Sequence, residues 1–346
     1  MALRQPRPVP GRSGQRQIDE VDLALIDAVH VQPRASAEHL GTVLGVSAVT
    51  AARRWRSLAE SGQAWVSSIP GPTLHMVSGV FEVECRPGSA RVVADRLAAE
   101  PQVASVGLLT GTMNVYAIVV AADIRSLQRL LVHRLPSIPG LLRSRSSIIS
   151  HRFSDANWRL GALDAHQRSA AREHPSQPVA DDQPRQFDRD LYLAFQVDGR
   201  RTYRDVAAEL GRSEQAVSRR VAALTASGMM TFRADFVRPE AGWSVQVMLR
   251  LRVPPGSLPT VGNELRQWSQ TRICASITGE ANLLCTALLH RIEDLDELIA
   301  RISTMTSGIE ILEHHLVLES VKSWGRLLDD RGFSVGVIPV DLWAPP

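Results

Sequence analysis

"LGVSAVTAARRWRSLAESG" occupies residues 44–62, and "LGRSEQAVSRRVAALTASG" occupies residues 210–228. Both open Leu-Gly-x-Ser, carry Arg-Arg at the same offset and close on Ser-Gly. In the first stretch Gly45 ends one helix and Ser47 caps the next. Ala51, Trp55 and Leu58 then recur at helical spacing as a buried stripe. Val49, Thr50, Arg53 and Ser57 face the other way. In the second stretch the stripe is Val217, Val221 and Leu224, and the outward face is Gln215, Ala216, Arg219 and Ala223. Upstream of the first, "DLALIDAV" predicts a short helix starting near Asp22, and "ASAEHLGTVLG" a second capped by Ser36. Three short helices with a glycine turn before the third make a helix-turn-helix.

Such a motif lays the start of its last helix in the major groove, while arginines nearby hold phosphates. Double-stranded DNA is therefore the expected partner. The expected contacts are Ser47, Val49, Thr50, Arg53, Arg54 and Arg56 in the first reader, and Ser213, Gln215, Arg219 and Arg220 in the second. Thr50 can hydrogen-bond a base edge and Val49 can touch a thymine methyl; Gln215 suits adenine and Glu214 suits cytosine. Arg54 and Arg220 border the buried stripe, so pairing with a carboxylate of the first helix competes with phosphate contact there. Arg53 and Arg219 stand clear of it. The rival reading of either copy is a three-helix interaction module with a solvated arginine face.

The repetition extends far beyond these stretches. A shift of 166 residues aligns 22–62 with 188–228 without a gap, matching Asp22 with Asp188, Arg34 with Arg200 and Leu58 with Leu224. A shift of 168 then aligns "LTGTMN" (109–114) with "ITGEAN" (277–282). One two-part unit has been duplicated. In the second part of each unit the pattern predicts strand, helix, strand, strand, helix, strand. That is a βαββαβ, ferredoxin-like arrangement. The fold class is α+β: two copies of a winged helix-turn-helix, each followed by a ferredoxin-like sensor domain. The expected domains are 18–66 and 74–153, a linker over 154–186 whose part from about 172 reads as flexible, then 187–235 and 242–324. A tail over 325–346 has no counterpart in the first copy.

A helix-turn-helix followed by βαββαβ resembles the Lrp/AsnC (feast/famine) transcriptional regulators. The residues that carry the resemblance are "IDEVDLALIDAV", "LGVSAVTAARRWRSLAESG", "SVGLLTGTMNVYAIVV" and "IPGLLRSRS". It implies sensor domains paired through their sheets, with a small effector, usually an amino acid, at the seam near the Thr-Gly turn. Carried onto this chain, that turn gives Gly111, Thr112 and Asn114 in one copy and Gly279, Glu280 and Asn282 in the other. The family usually has an acidic residue where Asn114 and Asn282 stand, which puts the usual amino-acid contact in question. It is also generally one unit per chain, so the duplication implies a covalent pseudo-dimer, with further homo-oligomerisation expected. The outward helix faces differ between copies, so an asymmetric DNA site is expected. In a variant of this reading only one copy reads DNA.

Siroheme decarboxylases resemble the same family, and some are tandem fusions. His133, His151, His314 and His315 are the histidines that such an enzyme could use. His314 and His315, adjacent on a strand, point to opposite faces, and the histidine- and arginine-rich strand opening of those enzymes is missing. No phosphate loop, nucleophile elbow or HExxH is present. The expectation is a non-enzyme without cofactor or metal. The longest apolar run, residues 115–122, is too short to span a bilayer. Three cysteines without CxxC spacing and no secretory signal fit a reducing cytoplasm. The net charge of +3 decides nothing, but residues 41–59 hold three arginines and no acid.

Overall fold

The computed structural model describes residues 7–8, 17–154, 161–171 and 186–345. After a two-residue strand β1 (Arg7–Pro8), the first reader comprises α1 (Glu20–Val31), α2 (Ala37–Leu44) and α3 (Ala48–Glu60), followed by β2 (Ala64–Pro70). The first sensor runs β3 (Val77–Cys85), α4 (Ala90–Ala99), β4 (Val103–Leu109), β5 (Val115–Ala121), α5 (Ile124–Arg129) and β6 (Leu141–Arg152). A short α6 (Ala165–Ala171) precedes the second reader: α7 (Gln186–Val197), α8 (Tyr203–Leu210), α9 (Glu214–Ala226) and β7 (Met230–Phe236). The second sensor is β8 (Val245–Arg252), α10 (Leu258–Leu265), β9 (Thr271–Ile277), β10 (Leu283–Leu289), α11 (Asp294–Ser303) and β11 (Glu310–Ser323). The tail adds β12 (Arg326–Leu328) and β13 (Ser334–Val337).

Local chemistry sets the helix ends. Asp19 is the N-cap of α1, and Asp22, an acid of its first turn, is the reciprocal member of a capping box with it. Ser36, Ser47, Thr202 and Ser213 cap α2, α3, α8 and α9 through the backbone N–H three residues on. Gly45 and Gly211 end α2 and α8 at φ of 67° and 63°, a left-handed turn that glycine adopts without penalty.

Each reader contributes one strand after its last helix, and the two strands pair with each other. β2 and β7 run antiparallel with Ser67 opposite Arg233, the residues that the duplication makes equivalent, so the pseudo-twofold passes between them. The exchange continues at the loops. Arg34 donates to the carbonyls of Gly199 and Arg201, and Arg200 donates 2.7 Å bonds to those of Pro33 and Ala35. Ser67 and Ser68 of β2 donate to carbonyls of α7. Neither reader is complete without a strand from the other.

The sensors are joined more tightly still. β3, β4, β5 and β6 form one sheet and β8, β9, β10 and β11 the other. β6 runs on from β3 to pair with β9, and β11 runs on from β8 to pair with β4. Eight strands thus close into a ring, β11-β4-β5-β3-β6-β9-β10-β8. Outside it, α4 and α5 cover the first sheet's core, with Phe81, Val93, Leu97 and Leu127 fully buried. The second sheet's core includes Leu249, Leu251, Val261 and Ile302, brought together with α10 and α11. Inside, Val80, Tyr116, Met248 and Leu284 pack between the sheets.

The connection between the units is partly docked. Leu163 and Ala171 are buried against the first reader, and the Leu163 N–H donates 3.0 Å to Asp27. Residues 172–185, expected to be flexible, lie outside those described. The tail extends the sheet from β11 and ties the second reader to the first sensor. Asp341 takes two bonds from Arg189, Gln196 brackets Val340, and Val340 and Leu342 bury against Ala104 and Val120.

Candidate nucleic-acid interface and sensor seam

On α3 the outward face is open. Val49 is 78% exposed, and Ser47, Arg53, Arg56 and Ser57 are also exposed. Ser47 uses its hydroxyl on the Thr50 N–H at 3.1 Å and lies 2.9 Å from the Thr50 hydroxyl, which fixes both groups at the helix start. On α9, Ser213, Glu214, Gln215 and Arg219 are exposed. Ala223, expected on that face, is buried, and its neighbour Ala222 is exposed instead. Trp55 is half-buried, with the Arg200 guanidinium 5.3 Å from its ring centre.

Two of the expected DNA contacts take the competing role, pairing with carboxylates of the first helix. The Arg54 guanidinium donates to Asp19 and Asp22 at 2.8–3.0 Å, and Asp22 is fully buried. Arg220 is itself buried, in a two-bond pair with Asp188 at 2.7 Å. Both arginines tie the last helix of a reader to its first; Arg220 is enclosed by that pairing, while Arg54 stays partly open. Arg53, Arg56 and Arg219 remain, with no ion pair among the described residues. The last helices therefore differ: α3 presents two exposed arginines and no first-turn acid, α9 one exposed arginine beside Glu214.

At the seam, the structure places each Thr-Gly turn against the other copy's last strand. Thr110 exchanges two bonds with Leu316 of β11, and Thr278 exchanges two with Ile148 of β6. Gly111 has φ of 92°, and a Cβ there would come within 2.9 Å of His315 Nδ1. Thr112 and Glu280 are exposed, Glu280 held by Arg252 at 2.7 Å. Asn114 and Asn282 have a structural role at the turn. Their side-chain oxygens accept the backbone N–H of Cys85 at 3.0 Å and Val253 at 2.9 Å, so they latch the turn to β3 or β8.

Next to the seam lies a charge network that sequence reading did not find. Arg145 bridges Glu82 and Glu313 through four bonds of 2.5–3.0 Å, and Arg250 reaches Glu82 at 2.5 Å. Glu82 and Arg250 are equivalent positions of the two copies, as are Arg145 and Glu313. Each pair has opposite charges across the pseudo-axis. Hydrogen bonds from Arg145 hold the Glu313 carboxyl down to about 2, against the burial that would raise it. The available signal was an acid in "VFEVEC" and an arginine in "VMLRLR", charges at positions that should face the interior.

Among known families, the profile described as the AsnC-type helix-turn-helix domain matches residues 18–59 and 186–225. The one described as the Lrp/AsnC ligand binding domain matches 78–158 and 246–327. The chain belongs to the Lrp/AsnC family and has the make-up of an AsnC-type transcriptional regulator, each domain present twice. An uncharacterised helix-turn-helix transcriptional regulator of Pyrococcus furiosus is 26% identical over 141 residues, 40% of this chain and 95% of that protein. The regulator Ptr1 of Methanocaldococcus jannaschii is 29% identical over 129 residues, 37% of this chain and 87% of its own. Among solved structures, the siroheme decarboxylase NirDL aligns over 94% of this chain and 96% of its own, with a TM-score of 0.57 and 15% identity. That likeness shows a shared tandem fold. No helix among the described residues is long and apolar enough to cross a membrane.

Proposed function

We propose that this chain is a sequence-selective regulator whose two readers bind one DNA duplex as an intramolecular pseudo-dimer. The observation that supports it most is the reciprocal exchange at β2–β7 and at Arg34 and Arg200, which sets both open helix faces on one scaffold. Dimeric helix-turn-helix proteins gain specificity by engaging two half-sites about one helical turn apart. Covalent linkage replaces assembly from solution with an effective concentration that reaches about millimolar for short linkers. The unlike faces, Val49, Thr50, Arg53 and Arg56 against Gln215 and Arg219, favour an operator with two different halves. Glu214 opposes phosphate at the second reader, which makes the first the stronger contributor.

A small effector, an amino acid in the family's manner, would meet Thr112, Glu280, Gly111 and Gly279 at the seam, with His315 against one turn. A site in the cytoplasm and further self-association of the pseudo-dimer belong to the same reading. The decarboxylase alternative draws on the tandem fold. Its histidines are dispersed: His133, His151 and His314 are exposed, while His315 faces Glu313 at 3.2 Å.

The test is a mobility shift on DNA upstream of the protein's own gene, with Arg53→Ala and Arg219→Ala beside the parent chain at two salt concentrations. Salt-sensitive, sequence-selective binding weakened by both substitutions is the expected result. Weakening by Arg53→Ala alone reduces the proposal to one reader. Absence of selective binding on selected DNA pools, together with a Soret band on mixing with an iron tetrapyrrole, would overturn it in favour of the enzyme.

A further inference from the structure

Beneath the β2–β7 ribbon, at the strand ends remote from the Thr-Gly turns, lies a cavity of about 410 Å³. Equivalent residues of the two copies meet in its wall: Ser78 and Gln246, Ser105 and Ile273, Arg152 and Ser320. The cavity therefore straddles the pseudo-twofold, and a chain has one of it, whereas it has two Thr-Gly turns. Its volume is in the range of pockets that take small organic ligands.

The wall is apolar on one side and cationic on the other. Ile118, Ile149 and Phe232 supply the first; Arg152, Arg233, Arg238 and Arg272 supply the second, and no carboxylate lines it among the described residues. Behind the wall Asp235 receives three guanidiniums, from Arg233 at 2.6 Å, Arg272 at 2.8 Å and Arg238 at 3.3 Å. One buried carboxylate against three cations, Arg272 buried and Arg233 and Arg238 partly so, leaves an excess of positive charge in a largely desolvated site, which favours an added anion. Burial, reinforced by Arg238 and Arg233 and opposed by Asp235, pushes Arg272 down to about 9. Arg238 keeps a buried Nε with no hydrogen-bond partner among the described residues, and exposed Arg152 has no carboxylate partner among them. Gln246, bonded to Arg238 at 3.2 Å, adds a neutral polar group.

This asymmetry is a product of the duplication. The first-copy equivalents of Arg233 and Arg272 are Ser67 and Ala104, and the second-copy equivalent of Arg152 is Ser320. A symmetric homodimer would carry either both arginines of each pair or neither. The tandem chain carries one of each, arranged about a single pocket.

We propose that this cavity binds one small amphipathic carboxylate per chain. Arg152, Arg233 and Arg238 hold the acid group, and Ile118, Ile149 and Phe232 hold an aromatic or branched apolar body. The site is separate from the turn seam. Its roof is the ribbon that joins the two readers, so occupancy bears on how they are held.

The probe is 8-anilinonaphthalene-1-sulfonate, an aromatic anion whose fluorescence rises in apolar surroundings, titrated into the full chain without DNA and competed with phenylpyruvate and with neutral phenylacetamide. The expected result is one site per chain, displaced by phenylpyruvate and not by the amide. Arg152→Ser and Arg233→Ser each write the other copy's residue into the wall and should weaken binding about tenfold, the loss of one charge-assisted contact. Circular dichroism and the unfolding midpoint confirm that both variants fold. Thr112→Arg at the seam should leave binding unchanged. Absent binding, two equal sites per chain, equal competition by the amide, or affinity untouched in both folded serine variants would overturn the proposal. Because no DNA is present, this outcome is independent of the regulator reading.

Discussion

The two readers share a fold and differ in how each arginine pair is used. In both, the second arginine of Arg-Arg is turned inward, but Arg220 is buried with Asp188 while Arg54 is partly open between Asp19 and Asp22. In both, the first arginine is exposed, with no ion pair among the described residues. Only the first reader adds Arg56, where the second has Ala222, and only the second carries Glu214 at the helix start. Duplication has preserved the internal tie and let the outer face change. The internal tie is what the fold requires, and the outer face is where the two copies can acquire different partners.

The largest expected effect is on stability and separates the two ties. Arg220→Ala removes a two-bond ion pair from the buried Asp188 carboxylate and should cost about 3–5 kcal/mol in denaturant unfolding. Arg54→Ala, at a site with more solvent, should cost about 1.5–3 kcal/mol. Equal costs would erase the distinction between the readers' interiors. Next comes DNA. Replacing Arg53 and Arg56 together by alanine should lower the salt slope of binding by about 2, and Arg219→Ala by about 1. A slope indifferent to Arg219 would make the second reader a scaffold.

The smallest effect lies in the sensor ring. The Glu313 carboxyl titrates near 2 in the folded chain against an ordinary 4.5, so its contribution is whole above 4.5 and is lost as pH falls through about 2. Glu313→Gln should flatten the acid limb of the stability profile between those values, followed by thermal unfolding. An unchanged limb would place the acid sensitivity elsewhere.

Much of this was legible in the sequence because it is local. Ser47 and Ser213 as caps and Gly45 and Gly211 as turn residues each depend on neighbours within a few positions. The offset of 168 even marked Thr110 and Thr278 as equivalent, though not that each would bond the opposite copy. What sequence missed depends on contacts between copies. β2 and β7 have no partner within their own unit, so neither could be assigned a pairing from its own pattern. Asn114 and Asn282 stood at the expected effector position, but their amides close on a strand some thirty residues earlier, which only the fold brings near. Ala223 was placed outward by helical spacing and is buried. The axial cavity draws on seven strands and the ribbon, and no contiguous stretch announces it.

The measurement that bears most directly on the two-reader account is hydroxyl-radical footprinting on a selected operator, with the parent chain, Arg53→Ala and Arg219→Ala side by side. The account predicts one protected site with two unlike halves about a helical turn apart, each substitution releasing a different half. Protection of two identical inverted halves, or release of the same half by both substitutions, would contradict it.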